Sequence, residues 1–143
     1  MPNCVFCRIV SKELPASLIY EDEQVMCFMD IHPVDTGACM VIPKQHIDHF
    51  TDLPDLLASH IVLTAQKVGR NILRELHAQR VGYVVHGYGV PHAHFNIVPL
   101  NRADDIVSAK AARIVDGQIV FDDSFLPTVD HTELDKVAAL LKL

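Results

Sequence analysis

The sequence predicts an α+β fold in which three short strands precede one long helix and two more strands follow it. Two observations carry this. Apolar runs bounded by turn residues fill 18–20, 25–29 and 38–42, and over 53–78 the apolar spacing changes to three or four residues. A chain of 143 residues, 50% of them apolar, is the usual size of one domain and buries a substantial core.

The first two runs, 18–20 and 25–29, flank the acidic turn Glu21-Asp22-Glu23, which suggests an antiparallel pair, and Pro43 closes the third. Leu57, Ile61, Val68, Ile72 and Leu76 recur as on a helix with one buried face. Thr51 or Asp52 and then Pro54 mark its start, and Gly82 falls just past its end. Strand character resumes over 83–85 and 92–98, joined through Gly87-Tyr88-Gly89. In the tail, 103–113 reads as a helix with acids early and Lys110 and Arg113 late. Asp116-Gly117 between apolar residues then signals a hairpin, and Thr132 is positioned to cap a last helix with Leu134, Val137, Ala138 and Leu141 on one face.

A net charge of −6 gives no basic footprint, so binding along nucleic acid is disfavoured, whereas a small phosphorylated ligand needs only a local positive spot. No apolar run reaches the roughly 18–20 residues that span a bilayer, and residues 1–10 lack a charged-then-apolar signal pattern, so no membrane partner and a cytoplasmic location are expected. Two of the four cysteines form Cys4-Val-Phe-Cys7, which in a reducing compartment reads as metal or redox chemistry. Cys27 and Cys39 lie in apolar runs and read as small core residues.

The chemistry concentrates in His92-Ala93-His94-Phe95-Asn96-Ile97. On an extended chain His92, His94 and Asn96 share one face, with Ala93, Phe95 and Ile97 on the other. A histidine whose one ring nitrogen is held by a hydrogen bond has a fixed tautomer and a second nitrogen free to attack. Taken alone, a His-x-His is as readily a pair of satisfied polar residues on an edge strand.

This stretch, His92-Ala-His94-Phe-Asn96-Ile-Val98, resembles the His-φ-His-φ-His-φ-φ signature of the histidine triad superfamily, φ being apolar. Phe28-Met-Asp30-Ile-His-Pro33, Val41-Ile-Pro-Lys44-Gln-His46 and the opening Cys4-Val-Phe-Cys7-Arg-Ile9 are similar to that family's segments in the same order. The likeness covers about residues 4–99, so residues 1–143 read as one domain with a C-terminal extension from about 101. It implies a five-stranded antiparallel meander with one long helix, usually a homodimer in which two sheets join. It further implies that His94 attacks phosphorus to give a nucleotidyl-histidine intermediate. Asp30 would hold the ribose hydroxyls, and Phe6, Ile9, Phe28 and Ile31 would line the slot for the base. By composition alone those four are core residues and Asp30 a turn former.

The pattern breaks at three places. The third histidine is Asn96, which has no titratable proton to give a leaving group, a contribution typically worth about 10²–10⁴ in rate. Ala38 stands after Gly37 where many members carry histidine, and the approach His86-Gly-Tyr-Gly-Val-Pro91 is short. Galactose-1-phosphate uridylyltransferases are similar in having an amide, glutamine, at the third place, so Asn96 is expected to hydrogen-bond a phosphate oxygen.

Cys4 and Cys7 are half of a zinc site. The resemblance supplies the other half, His46 and His92, and implies a closed structural zinc; His49 competes with His46. His32, His60, His77, His86 and His131 are expected on the surface, with His86 able to face the phosphate from the neighbouring strand. The expectation is a zinc-stabilised nucleotide hydrolase or nucleotidyl transferase acting on nucleoside phosphoramidates, dinucleoside polyphosphates or similar. Its alternatives are a binding module silenced at Ala38 and Asn96, and a zinc hydrolase with an open metal position.

Overall fold

The structure, a computed structural model, describes residues 3–102, 105, 112–121 and 126–143. A short helix α1 (Val5–Val10) is followed by β1 (Leu18–Glu21), β2 (Val25–Met29) and β3 (Cys39–Pro43). The long helix α2 (Asp55–Glu75) leads into β4 (Arg80–Val84) and β5 (Phe95–Leu100). A hairpin of β6 (Ala112–Val115) and β7 (Gln118–Phe121) precedes α3 (His131–Leu141).

Every neighbouring pair in the five-stranded sheet is antiparallel, as expected, but the order is β1-β2-β3-β5-β4 and not a meander. After β3 the chain passes through α2 and places β4 at the edge. Strand β5 then turns back into the gap, paired with β3 on one side and β4 on the other.

Strands β2 and β3 are buried on both faces, which is why they read as unbroken apolar runs rather than alternating ones. Val25, Cys27, Met29, Cys39, Val41 and Ile97 point to one side, against Leu57, Ile61, Ala65, Val68 and Ile72 of α2 and Leu134, Ala138 and Leu141 of α3. Each fully buried branched aliphatic there contributes about 1.5–3 kcal/mol relative to exposure. Cys27 and Cys39 are core residues, as their context predicts. Met26, Phe28, Met40 and Ile42 point to the other side and meet Cys4 and Phe6. Helix α1 covers only part of that second face.

Three local expectations change and one holds. Pro54 opens α2, but the helix ends at Glu75 with Leu76 as its C-cap, and His77 takes the left-handed conformation (φ 55°) that breaks it; Gly82 lies inside β4. Arg113 belongs to β6, while 103, 104 and 106–111 of the expected helix lie outside the described residues. The Asp116-Gly117 turn joins β6 and β7 with positive φ at both residues, as the dipeptide predicts. Asp130, not Thr132, caps α3, its carboxylate accepting the Glu133 amide N–H at 3.1 Å.

The acidic turn between β1 and β2 is held by one carboxylate. Asp22 accepts the backbone N–H of Gln24 and of Val25 at 2.8 Å each, the Tyr20 hydroxyl at 2.8 Å and His60 Nε2 of α2 at 2.6 Å. Burial by itself raises the Asp22 carboxyl, but these donors outweigh it and hold the group far below the usual carboxylate range. A folded-state value below the unfolded one, about 3.9, means the network's contribution is complete above about pH 5 and is lost as the pH falls through the acid range. Asp22→Asn is therefore expected to be less stable than the parent at neutral pH and to lose less stability between about pH 5 and pH 2. Denaturant midpoints across that range read the difference, and equal acid slopes would assign the linkage to another group.

Candidate functional site

The uncovered part of the second sheet face, together with α1 and the approach to β5, holds the reactive side chains in two adjoining groups. The first group is four potential metal ligands. Cys4 is the N-cap of α1, and its sulfur accepts the Cys7 N–H at 3.5 Å, so one helical turn brings both thiols to one end. Cys4 Sγ lies 3.4 Å and Cys7 Sγ 3.6 Å from His92 Nδ1, and Cys7 Sγ lies 3.2 Å from His46 Nδ1. One ligand atom from each of Cys4, Cys7, His46 and His92 falls within 4.8 Å of all the others. A tetrahedron with Zn–S of about 2.3 Å and Zn–N of about 2.0 Å has S···N edges of about 3.5 Å, so the cluster has the dimensions of a four-coordinate soft-metal site.

The ring chemistry agrees. His92 is fully buried, and its Nε2–H donates to the Pro43 carbonyl at 2.8 Å, which fixes the tautomer that turns a bare Nδ1 toward the thiols. Burial also pushes this imidazole down, keeping it neutral as a ligand must be. Burial and then the adjacent Cys4 thiol push the Cys7 thiol up, so ionising it needs a cation beside it. His49 stays exposed ahead of the 3₁₀ turn Phe50–Asp52 and is not in the cluster.

His92 and His94 precede β5 instead of lying in it, a correction to the expected strand 92–98. The physical reason is local: the His92 and Ala93 amides donate to Val90 and Ile47 carbonyls, at 2.8 and 2.7 Å, before pairing with β3 begins. The expected alternation survives in outline, because the Phe6 ring meets both imidazoles edge-on, at 5.8 and 5.5 Å between centroids.

The second group lines a cleft of about 500 Å³. Phe6 and Ile9 of α1, Phe28 of β2, Asp30 and Ile31 of the following turn, His94 and Asn96 all border it, so every residue expected to touch a ligand is brought to one place. The His94 ring is oriented by its own backbone: Nδ1–H donates to the His92 carbonyl at 2.7 Å, leaving Nε2 as the atom with the lone pair. Asn96 gives one amide hydrogen to the Val84 carbonyl at 3.2 Å and retains a second. Asp30 Oδ1 accepts the His32 N–H at 2.8 Å, which shapes the turn and aims the carboxylate.

Tyr88, Gly89 and Val90 line the cleft from the short approach 86–91 that the sequence marks, and Leu14, Pro15, Ala16, Met40 and His131 line it without any sequence expectation. Apolar residues before a strand carry no sequence signal for this. His131 corrects its surface assignment; it is partly buried, with Nδ1 3.0 Å from the Ser17 hydroxyl. His60 is likewise partly buried in the Asp22 network. His32, His77 and His86 are exposed, and the His86 ring meets Tyr88 at a tilt of 51°, 5.3 Å between centroids, without lining the cleft.

Comparison with known proteins gives this geometry a family. The HIT domain is matched over residues 11–103. An uncharacterized HIT-like protein of Methanocaldococcus jannaschii is 35% identical over 106 residues, covering 71% of this chain and 81% of that one. An adenosine 5'-monophosphoramidase of Schizosaccharomyces pombe is 33% identical over 99 residues, covering 68% and 74%. The solved structure of a zinc-bound histidine triad family protein from Mycobacterium smegmatis superposes with a TM-score of 0.74 at 29% identity, covering 98% of this chain and 94% of that chain. Motif order, sheet and family match agree: the chain belongs to the histidine triad, or HIT, family.

Proposed function

We propose that this chain is a nucleotide hydrolase or nucleotidyl transferase whose nucleophile is His94. The observation that carries the reading is the His94 ring, fixed through Nδ1 by a 2.7 Å bond to a backbone carbonyl and set in a cleft it shares with Asp30 and Asn96. The Nε2 lone pair forms an N–P bond at the α-phosphorus, and the bond from phosphorus to the leaving group breaks with its electron pair on that group. Water or another acceptor then cleaves the N–P bond, releasing the nucleoside monophosphate unit and the imidazole. Asp30 binds the ribose hydroxyls, and Phe6, Ile9, Phe28 and Ile31 hold the base. Candidate substrates are nucleoside phosphoramidates, dinucleoside polyphosphates and similar activated nucleotides. The name of the fission-yeast relative, a phosphoramidase, supports the first class.

Asn96 steadies a non-bridging oxygen with its remaining amide hydrogen but supplies no proton. The leaving group must then depart as its own anion or be protonated by water. Rates over a series of nucleotides with different leaving groups are expected to fall steeply as the leaving group becomes more basic; a flat series would contradict the role given to Asn96. Calorimetry with nucleoside monophosphates beside a turnover assay separates the enzyme from a silent binding module, which would bind without His94-dependent release.

Cys4, Cys7, His46 and His92 are assigned to a zinc ion that is structural, with four protein ligands and no position for water. When bound, the ion supplies charge that keeps both sulfurs ionised and ties α1 to the segment before β5. Such a site suits a reducing, cytoplasmic compartment. The edge strand β4, with Tyr83 exposed, is the proposed seam of a homodimer, and the packing of α3 into the core supports reading residues 1–143 as one domain. Light scattering on the eluting protein reads the dimer.

A further inference from the structure

The C-terminal arm reaches the cleft from outside the matched segment 11–103. Three contacts lay residues 128–131 along the rim. The Val129 N–H donates to the Ile31 carbonyl at 2.9 Å, Thr128 Oγ1 lies 3.3 Å from His32 Nδ1, and the Ser17 hydroxyl lies 3.0 Å from His131 Nδ1. The arm is held from its far end as well. Leu134, Ala138 and Leu141 anchor α3 in the core, and Asn71 of α2 donates its amide to the Leu141 and Lys142 carbonyls at 2.9 and 3.1 Å. His131 is therefore mounted on a rigid element, with one ring nitrogen engaged and Nε2 left as its remaining polar atom.

Its position selects the part of the ligand it meets. Ser17, its tether, is buried and follows Leu14, Pro15 and Ala16, an apolar margin of the cleft, and the Ser17 carbonyl accepts the Met29 N–H at 2.9 Å. The contacts of the arm run along Ile31 and His32. His131 thus sits with the apolar wall, and not with His94, Asn96 and the 88–90 loop, where phosphorus chemistry is assigned. Beside the apolar residues Leu14, Pro15, Ala16 and Ile31 of that wall it brings a ring nitrogen able to give or accept a hydrogen bond, and a heteroaromatic base has a polar edge to offer.

We propose that His131 is a specificity-determining residue that hydrogen-bonds the polar edge of the nucleobase through Nε2. This rests on the reading of the cleft as a nucleotide site. Calorimetry compares AMP with ribose 5-phosphate, which shares the sugar phosphate and lacks the base. His131→Leu, which keeps volume without polarity, is expected to weaken AMP about tenfold, one lost hydrogen bond, and to leave ribose 5-phosphate unchanged. His131→Gln is expected to recover most of the loss, and Ser17→Ala, which frees the ring, to show part of it. An equal fall for both ligands, or no rescue by glutamine, would make His131 a packing residue and overturn the proposal. If the parent protein binds neither ligand, the nucleotide reading itself fails, an outcome distinct from parent-level binding that ignores the variants.

Discussion

His94→Ala is expected to form no covalent adduct with an activated nucleotide and to turn over at least roughly 10⁴-fold more slowly than the parent, as loss of a nucleophile does in enzymes that act through one. The size follows from the geometry. With Nδ1 committed to the His92 carbonyl, Nε2 of His94 is the oriented lone pair on the side of the cleft assigned to phosphate, and Asn96 beside it has an amide too weakly basic to substitute. Intact-mass measurement after brief exposure to a labelled phosphoramidate reads the adduct directly. The parent should gain the mass of one nucleotidyl group, while the variant should still bind nucleoside monophosphate, since the side chains assigned to base and ribose are unaltered. An adduct that survives in His94→Ala would move the nucleophile elsewhere.

Cys7→Ser is expected to lose its zinc and to melt more than about 10 °C lower, because breaking a structural metal site removes several kcal/mol and each 1 kcal/mol moves the midpoint of a chain this size by about 2–4 °C. The loss does not stay local. Helix α1 is six residues long, too short to persist without tertiary support, and it carries Phe6 and Ile9 of the cleft as well as Cys7. Nucleotide affinity should therefore fall with the metal, and chelation of the parent protein should reproduce both changes. Metal analysis, thermal melting and calorimetry on the same samples test it. A chelated protein with unchanged melting point and affinity would remove the metal from the account.

The sequence made the α+β class legible because α2 keeps one apolar stripe and because β2 and β3 are apolar on both faces. Their continuity is itself the mark of a sheet covered on two sides. The cluster of Cys4, Cys7, His46 and His92 was legible only through family likeness, since its members lie up to 88 positions apart and a Cys-x-x-Cys pair names half a site. The strand order was not legible: inserting β5 between β3 and β4 depends on pairings that no local pattern encodes. Nor was the start of β5, because the amides of His92 and Ala93 find carbonyl partners at Val90 and Ile47 that spacing cannot reveal. His131 escaped for the same reason as Ala16. Each lines the cleft by virtue of where a remote segment packs, while its own neighbours in sequence look like ordinary surface or turn.

The placement of β5 at an interior position of the sheet has a consequence for how the site comes apart. Its backbone is clamped from both sides, so amide exchange there is expected to require opening of the entire sheet, whereas α1 has no strand partner and is held by the burial of Cys4 and Phe6 and by the cluster of Cys4, Cys7, His46 and His92. Once the metal is removed, Phe6 and Ile9 are thus expected to leave the cleft while the Asn96 strand is still in register.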